Sequence, residues 1–433
     1  MLIEPLTDGS PAAVARLKKL AGRHQQHGSV EREVREIISA VERRGDRAVS
    51  NFTKRFDGAV LAPGAYEVAR EDRDAALESL PTPTRRALES ARKRIERFHR
   101  KQLVKSYELR EAGIVTGMRV TALRRVGVYV PGGRASYPST VLMNVVPALV
   151  AGVEEVVLVT PPDSNGLVSR AVLAAAAVAG AHRVFRIGGA QAIAALAFGT
   201  ESVPRVDKIV GPGNLYVAAA KRLLFGYVDI DSIAGPSEVL IMADGRARPE
   251  LVASDMLAQA EHDPMAAAIC LTTSSATAAA VVARLQRQLA GLRRRAIAAK
   301  SLRRYGTVLV TGSMARAAEL ANEIAPEHLE VLTTAPRRVL PLLRNAGAVF
   351  LGEYCPESVG DYSAGPNHVL PTGGTARFAS PLGVYDFVKR TSIIELDRRG
   401  LERLAPGVIE LAECEGLEAH ALAVKMRFAG GGK

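Results

Sequence analysis

Between Val126 and Leu351, short apolar runs alternate with longer segments in which apolar residues recur at helical spacing. The first set of runs predicts strands at residues 126–130, 155–160, 183–187, 208–210 and 228–233. After a break at Gly235-Pro236-Ser237, a second set predicts strands at residues 238–242, 267–272, 307–311, 329–333 and 348–351. Helices are predicted between them at residues 139–151, 166–179, 190–198, 215–225, 251–262, 276–292, 314–324 and 337–345. Such alternation is typical of an α/β fold, here with two Rossmann-like parallel-sheet units.

The segments outside this alternation complete the domain organisation. Residues 30–56 and 83–105 carry apolar positions at helical spacing, and residues 109–124 resemble short strands. We expect a helical N-terminal arm, one Rossmann-like domain built from two stretches of chain, a second Rossmann-like domain inserted between them, and a small C-terminal appendage of a helix or two. The corresponding boundaries are 1–24, 25–125 with 238–380, 126–237, and 381–433.

Composition narrows the class of protein. The chain has 433 residues, 48% of them hydrophobic, but no charge-free apolar run of the roughly 18 residues that a membrane span requires. Its N-terminus lacks the apolar core of a signal peptide, and its three cysteines are far apart, which excludes a disulfide framework. We therefore expect a cytoplasmic protein with no membrane partner.

The chain is basic, with a net charge of +12. Its arginines are scattered, and their small clusters at residues 293–295, 303–304 and 398–399 are typical of a solvated surface. A nucleic-acid patch and attraction of an anionic cofactor are the alternatives. The absence of Trp and the 5% aromatic content argue against stacking on single strands, so no nucleic-acid partner is expected.

Two glycine-rich loops follow predicted strands of the first unit, at residues 187–191 and 211–214. Ligands of open parallel sheets bind at the carboxyl ends of strands, where glycine admits the backbone and helix N-termini offer free N–H groups to phosphates. Neither loop has the full G-x-G-x-x-G pattern, so ordinary tight turns remain the alternative. Together the loops favour a dinucleotide site.

Four histidines lie in polar segments, each with an amide or acid nearby. Gln259 and His262 share one face of a predicted helix, which is half of a metal site or, alternatively, a helix end whose imidazole binds the last carbonyls. Glu327-His328 provides an acid beside an imidazole, as proton transfer requires. We expect these residues to meet in one site, together with Asp361, His368, Glu415 and His420. Oxygen and nitrogen ligands without thiolate suit zinc or manganese.

Seven ordered motifs resemble the histidinol dehydrogenase family over nearly the whole chain. They are Gly127-Val128-Tyr129-Val130-Pro131-Gly132-Gly133, Gly211-Pro212-Gly213-Asn214, Ala234-Gly235-Pro236-Ser237-Glu238, Gln259-Ala260-Glu261-His262, Ala325-Pro326-Glu327-His328-Leu329-Glu330, Gly360-Asp361-Tyr362 with Asn367-His368, and Glu415-Gly416-Leu417-Glu418-Ala419-His420. The resemblance implies a homodimeric zinc enzyme that oxidises L-histidinol through L-histidinaldehyde to L-histidine with two NAD+, the last step of histidine biosynthesis.

The resemblance also implies a role for each matched residue. The zinc ligands would be Gln259, His262, Asp361 and His420, the last from the partner subunit. Substrate would be held by these residues together with Ser237, His328, His368 and Glu415. NAD+ would contact Tyr129, Gln191 and Asn214 in the domain 126–237, whereas the metal and the catalytic pair Glu327 and His328 would lie in the other domain.

Two other classes of function remain open at this point. A zinc hydrolase would use the same metal site with Glu327 as its base and would need no dinucleotide. A basic nucleic-acid binder would need neither the metal site nor a dinucleotide.

Overall fold

The computed structural model describes residues 2–23, 30–132 and 136–429. Gly133 of the first motif, and Met1 and His24 of the predicted arm, lie outside these ranges. The chain divides into two compact units. The main unit comprises Met1–Gln102 and Leu123–Phe387, and the minor unit comprises Leu103–Ala122 and Val388–Lys433.

Fourteen strands are assigned in the described residues. They are β1 Pro5–Thr7, β2 Tyr107–Glu111, β3 Ile114–Ala122, β4 Arg125–Tyr129, β5 Glu155–Val159, β6 Arg183–Phe185, β7 Lys208–Val210, β8 Asp229–Ile230, β9 Glu238–Ala243, β10 Ala267–Thr272, β11 Thr307–Val310, β12 His328–Leu332, β13 Ala348–Leu351 and β14 Val388–Leu396.

The same residues form sixteen α-helices. They are α1 Pro11–Ala21, α2 Glu31–Asp57, α3 Arg70–Glu78, α4 Thr82–His99, α5 Pro138–Ala151, α6 Arg170–Ala179, α7 Gly189–Phe198, α8 Leu215–Leu224, α9 Pro249–Ala260, α10 Ser275–Ala290, α11 Arg295–Tyr305, α12 Met314–Ile324, α13 Pro336–Val339, α14 Glu357–Tyr362, α15 Arg398–Cys414 and α16 Glu418–Lys425. Among these residues no helix is long and apolar enough to cross a membrane.

The first sheet of the main unit is parallel, with strand order β6-β5-β4-β7-β8. The chain moves outward from β4 to β6 and then returns to place β7 on the other side of β4. This reversal is a topological switch point, and it puts the loops after β4 and β7 on either side of a crevice. The predicted doubly wound unit is therefore confirmed.

Helices α2, α7 and α8 cover one face of this sheet, and α3 to α6 cover the other. The sequence analysis places residues 25–125 in the domain that contains 238–380, but α2, α3 and α4 pack on the five-stranded sheet. Helices α6 and α7 are rich in alanine, and such small side chains leave apolar surface that an outer helix must cover. Periodicity marks the apolar face of a helix but not the surface that covers it.

The second sheet of the main unit is also parallel, with order β1-β11-β10-β9-β12-β13 and a switch point between β9 and β12. Its edge strand β1 comes from the N-terminal arm, for which the sequence predicts a helix and no strand. The helix predicted at 337–345 is only α13 followed by a single 3-10 turn, Leu340–Leu342. Pro341 lies in that turn, and proline lacks the N–H that a continuing helix requires.

The minor unit contains an antiparallel sheet of order β14-β3-β2 and the helices α15 and α16. Strand β14 lies in the predicted appendage but was not predicted, and it pairs with β3 along nine residues. Helix α15 begins at an aspartate cap, because the Asp397 carboxylate accepts a hydrogen bond from the Gly400 amide at 2.8 Å.

Candidate active site

The predicted catalytic residues lie at the amino edge of the six-stranded sheet. Glu238 is the first residue of β9, and His328 is the first residue of the neighbouring strand β12. Helix α9 joins two parallel strands, so it must run back toward the strand starts, and its last turn brings Gln259 to the same edge. Three segments distant in sequence therefore meet there.

Glu327 and His328 are both buried and both bonded to the main chain of Glu238. The Glu327 carboxylate Oε2 accepts from the Glu238 amide at 3.0 Å. The His328 Nδ1 lies 3.2 Å from the Glu238 carbonyl oxygen, and since a carbonyl only accepts, Nδ1 must carry the proton. The Nε2 atom of His328 is then a free base, and it is buried without a hydrogen-bond partner among the described residues.

Three carboxylates surround this imidazole. Its Nδ1 lies 3.8 Å from Glu327 Oε2 and 3.9 Å from Glu357 Oε2, and its Nε2 lies 3.8 Å from Asp361 Oδ1. Burial lowers the pKa of His328 to about 4, more than the Asp361 charge raises it. The imidazole is therefore neutral near pH 7, the form that accepts a proton.

Burial has the opposite effect on the acids of the site. It raises the pKa of Glu327 well above its usual value, and the charges of Glu238 and Asp361 add to this shift. Burial likewise raises the pKa of Glu357, with Asp361 and Glu330 contributing. A carboxylate with a raised pKa is, in its ionised form, a stronger base than an ordinary one.

Gln259 is fully buried and faces Glu357. Its amide nitrogen donates to the two carboxylate oxygens of Glu357 at 2.8 and 3.2 Å in the orientation that satisfies its hydrogen bonds. The Glu357 amide in turn donates to Glu330 Oε1 at 2.7 Å. Because the nitrogen is held in this way, the amide oxygen of Gln259 is left to bind a cation or substrate.

The predicted ligand Asp361 and the predicted substrate residue His368 also meet. The His368 Nδ1 lies 2.8 Å from the Asp361 carbonyl oxygen, and its Nε2 lies 3.4 Å from Thr140 Oγ1 on α5. The imidazoles of His262 and His368 are both near enough to His328 for their charge to oppose its protonation. The main unit thus gathers Gln259, His262, Asp361, Glu327, His328 and His368.

The donor set fits zinc chemically. Gln259 offers an amide oxygen, His262 an exposed imidazole and Asp361 a carboxylate, and zinc accepts such oxygen and nitrogen ligands. No group of three or more His, Cys, Asp or Glu side chains is placed to hold a metal ion within the described ranges.

The predicted cofactor residues lie at the carboxyl edge of the five-stranded sheet. Tyr129 ends β4, and its hydroxyl accepts from the Gly189 amide at 3.2 Å, at the start of α7. Gln191 is buried in the first turn of that helix, and neither polar atom of its side chain has a partner in the described part of the chain. An orphaned buried amide beside a helix N-terminus indicates a polar ligand.

The second glycine loop follows β7 on the other side of the switch point. Asn214 caps α8, with its Oδ1 accepting from the amides of Tyr216 and Val217 at 3.0 and 3.1 Å. Gly211 has φ +107°, and a Cβ there would lie 2.1 Å from the Tyr129 carbonyl oxygen. Only glycine allows this loop to approach β4 so closely.

For the three remaining predicted residues, the structure gives a position and an exposure. Ser237 is half-buried directly before β9. Glu415 and His420 belong to the minor unit, where both side chains are exposed, on the C-cap of α15 and on α16.

Several contributors were not predicted. Glu238 was noted only as part of a motif, and neither Glu357 nor Lys221 was singled out. The Lys221 ammonium bonds Asp231 and the Gly211 carbonyl, the latter at 3.0 Å, and so holds the second glycine loop. A lysine inside a helical pattern gives no signal of such a role, because its partner lies in a different loop.

Two Rossmann-like sheets, glycine loops at a switch point and a buried acid–base pair together define an α/β enzyme. The family model for histidinol dehydrogenase matches residues 20–428. The chain is 54% identical over 428 residues to the histidinol dehydrogenase of Aquifex aeolicus, covering 99% of each chain, and 54% identical over 400 residues to that of Syntrophotalea carbinolica, covering 92% of this chain and 93% of that one.

A solved structure agrees with the sequence relatives. The crystal structure of histidinol dehydrogenase from Elizabethkingia anophelis superposes with a TM-score of 0.93 at 34% identity, covering 99% of this chain and 98% of that one. This chain belongs to the histidinol dehydrogenase family. Histidinol dehydrogenases are oxidoreductases.

Proposed function

We propose that this protein is a zinc-dependent dehydrogenase that oxidises L-histidinol through L-histidinaldehyde to L-histidine with two NAD+, the last step of histidine biosynthesis in the cytoplasm. Membership of the family supports the substrate. The observation that carries the mechanism is the buried His328, whose Nδ1 is bonded to a carbonyl and whose Nε2 is free. This is the arrangement of a general base.

Zinc would be held by Gln259, His262 and Asp361 of one subunit and by His420 of the partner subunit. Bound there, the ion would supply a fixed positive charge that anchors the imidazole and amino nitrogens of the substrate. The contact between Gln259 and Glu357 supports this assignment, because it leaves the amide oxygen available. Metal-binding side chains are commonly oriented by such neighbours.

In the first oxidation, His328 would take the hydroxyl proton of histidinol at Nε2 while hydride leaves for the first NAD+. The low pKa of this buried imidazole keeps it unprotonated at neutral pH, ready to accept. His328 must release that proton before it can act again. The second oxidation therefore needs the same residue in the same form.

In the second oxidation, Glu327 would take a proton from water as the oxygen attacks the aldehyde carbon. His328 would assist again as the hydrated aldehyde gives up its hydride to the second NAD+. The raised pKa of Glu327 makes it a stronger base than an exposed carboxylate. Ser237, His368 and Glu415 would hold the substrate through both steps, which keeps the reactive aldehyde from escaping.

NAD+ would bind at the carboxyl edge of the five-stranded sheet, in contact with Tyr129, Gln191 and Asn214. The unpartnered amide of Gln191 and the close approach of Gly211 to β4 support this site. In a parallel sheet the switch point is the expected place for a dinucleotide.

The protein would act as a homodimer whose minor unit completes the site of the partner. This unit leaves several large apolar side chains exposed, and they include Leu404, Val408, Leu411, Leu422 and Met426. Exposed apolar side chains in this number favour burial against another chain. An isologous two-fold interface would then provide two shared sites.

Incubation of the zinc-loaded protein with L-histidinol and NAD+ tests the reaction. We expect reduced nicotinamide to form at about two equivalents per histidinol consumed, and the signal to disappear after chelation. Water-dependent cleavage without nicotinamide reduction would instead support a zinc hydrolase. Zinc-independent binding to nucleic acid without either reaction would support a basic nucleic-acid binder.

Mixed dimers test the shared site. His262→Ala and His420→Ala chains are each expected to be inactive, and they are unfolded and refolded together. Random pairing makes about half of the dimers mixed, and each mixed dimer regains one intact site if His420 acts across the interface. About a quarter of wild-type activity should return. If mixed dimers form, as shown by mass, and no activity returns, His420 acts within its own chain.

A further inference from the structure

One residue contacts both members of the catalytic pair through its main chain. The amide of Glu238 donates to Glu327 Oε2 at 3.0 Å, and its carbonyl accepts from His328 Nδ1 at 3.2 Å. These are the peptide groups on the two sides of a single Cα atom. Any displacement of Glu238 therefore moves the carboxylate and the imidazole together.

The side chain of Glu238 is itself anchored. Its Oε1 accepts from the Gly373 amide at 3.0 Å, and its Oε2 forms an ion pair with the Arg23 guanidinium. The two charged side chains are only 1% and 5% exposed, with Arg23 the more buried. Arg23 is 215 residues away along the sequence, in the N-terminal segment of the main unit.

Arg23 also contacts the residue on the other side of Ser237. Its Nη2 donates to the Pro236 carbonyl oxygen at 3.2 Å. One guanidinium thus holds the main chain before Ser237 and the side chain after it. The next residue back, Gly235, is also held, because its amide donates to Thr372 Oγ1 at 2.6 Å. The segment that leads into β9 is thus held at Gly235 and Pro236, and also at Ser237, whose carbonyl accepts from the Ala267 amide at 3.1 Å.

Stability alone does not account for this ion pair. Removing two charges from water is costly, and well-packed apolar residues of similar volume are often as stable or more stable. Within the described residues, the Nε and Nη1 atoms of Arg23 are buried without a hydrogen-bond partner, which adds to that cost. What the pair does provide is a fixed position for Glu238.

We propose that Arg23 and Glu238 are positioning residues that hold Glu327 and His328 in the geometry required for proton transfer. Neither side chain touches the reacting atoms; each acts through the main chain of Glu238. The inference deepens the proposed function and rests on it. Loss of the anchor would slow turnover, because a displacement of about 1 Å can reduce a rate roughly 100-fold.

The test compares Arg23→Gln, Arg23→Lys and Glu238→Gln with the wild-type protein. We expect Arg23→Gln and Glu238→Gln to lower kcat about 100-fold, with KM for NAD+ and zinc content unchanged. Arg23→Lys keeps the charge and a hydrogen-bonding ammonium group but loses the guanidinium fork, so it should show a smaller loss than Arg23→Gln. Arg73→Met is the matched control, since Arg73 is also a buried arginine bonded to a carbonyl, that of Ala181 at 2.7 Å, but lies on α3. It should lower the melting temperature and leave kcat unchanged.

Crystal structures of the wild-type and Arg23→Gln proteins provide a readout that does not depend on activity. We expect the contacts of the Glu238 main chain with Glu327 and His328 to exceed hydrogen-bond distance in the variant. Wild-type kcat in folded Arg23→Gln, or intact contacts in its crystal structure, would overturn the proposal. A wild-type protein that fails to oxidise histidinol would overturn the proposed function instead, and the crystal structures would still decide whether Arg23 fixes the pair.

Discussion

The two parallel sheets of the main unit share an architecture but present their candidate residues at opposite edges. The five-stranded sheet carries its two glycine loops at the carboxyl ends of β6 and β7, and a switch point lies between β4 and β7. The six-stranded sheet also has a switch point, between β9 and β12, but its acid–base pair lies at the amino ends of those strands. The general rule for open parallel sheets locates the first site and not the second.

The difference matches what each proposed site would have to provide. A dinucleotide requires free N–H groups and close backbone approach, and helix N-termini after the strands supply both. Proton transfer requires a base shielded from water, and the first residues of β9 and β12 are buried on all sides. Buried ionisable groups have shifted pKa values in consequence, downward for His328 and upward for Glu327.

The largest expected effect comes from removing a zinc ligand at the amino edge. We expect His262→Ala and Asp361→Asn to lose bound zinc and nearly all activity while the fold survives, because each deletes one ligand of a formed pocket. Metal analysis of the purified proteins and circular dichroism measure the two outcomes.

A carboxylate at the opposite edge of the same sheet provides the control. Asp244 follows β9 and accepts from the Thr334 and Arg246 amides at 2.7 and 2.9 Å. Asp244→Asn should retain full zinc content. Wild-type zinc in His262→Ala or Asp361→Asn would contradict a metal site at the amino edge.

The next effect separates the two oxidations. Glu327→Gln can still accept a hydrogen bond from the Glu238 amide but cannot take a proton from water. We expect oxidation of histidinol to the aldehyde to be largely spared and oxidation of histidinaldehyde to fall about 100-fold. Rates measured separately with each compound test this. Equal losses in both would remove the assigned role of Glu327.

A smaller effect is expected at the carboxyl edge of the five-stranded sheet. Tyr129→Phe removes the hydroxyl that accepts from the Gly189 amide, and a hydrogen bond contributes about 1 kcal/mol, so KM for NAD+ should rise roughly 5-fold. Zinc content should not change. Tyr66→Phe is the matched control, because the buried Tyr66 hydroxyl donates to the Asp46 carbonyl at 2.6 Å and contributes to stability. An equal rise in KM for both variants would contradict the assignment.

The smallest effect concerns a half-buried acid outside the catalytic pair. Burial raises the pKa of Asp57, on α2, to about 6. Its charged form is therefore disfavoured in the folded state, and the protein loses stability as the pH rises from about 4 through 6. Because Asp57 is partly exposed, we expect Asp57→Asn to raise the melting temperature by only about 1–2 °C at pH 8.

This gain should disappear as the pH falls toward 4, where the folded-state carboxyl of Asp57 is already neutral. Thermal unfolding of both proteins across this range measures it. A gain that stays constant with pH would show that the ionisation of Asp57 is not its cause.

Much of the fold could be predicted because the strands of both sheets are short apolar runs. The predicted strands at 208–210, 267–272 and 348–351 coincide with β7, β10 and β13. Strand β14 was missed because its side chains are mostly exposed, so it carries no apolar pattern. The packing of α2 on the five-stranded sheet was also missed, since a helical pattern does not identify the sheet that it covers.

The proposed catalytic pair was predicted because an acid and an imidazole are adjacent in the sequence, at Glu327 and His328. The residues that orient it were not, because their partners are remote: Arg23 and Glu238 are 215 residues apart, and Glu357 meets Gln259 only through the fold. The edge of the sheet at which a site lies likewise depends on the direction of the chain in the fold. Local sequence patterns do not predict that edge.

A crystal structure of the zinc-loaded protein with L-histidinol and NAD+ is the most direct test of the two-edge arrangement. We expect the dinucleotide at the carboxyl edge of the five-stranded sheet, against Tyr129, Gln191 and Asn214. We expect histidinol at the amino edge of the six-stranded sheet, with its hydroxyl facing Nε2 of His328. A dinucleotide bound instead beyond the carboxyl ends of β9 and β12, or histidinol remote from His328, would contradict it.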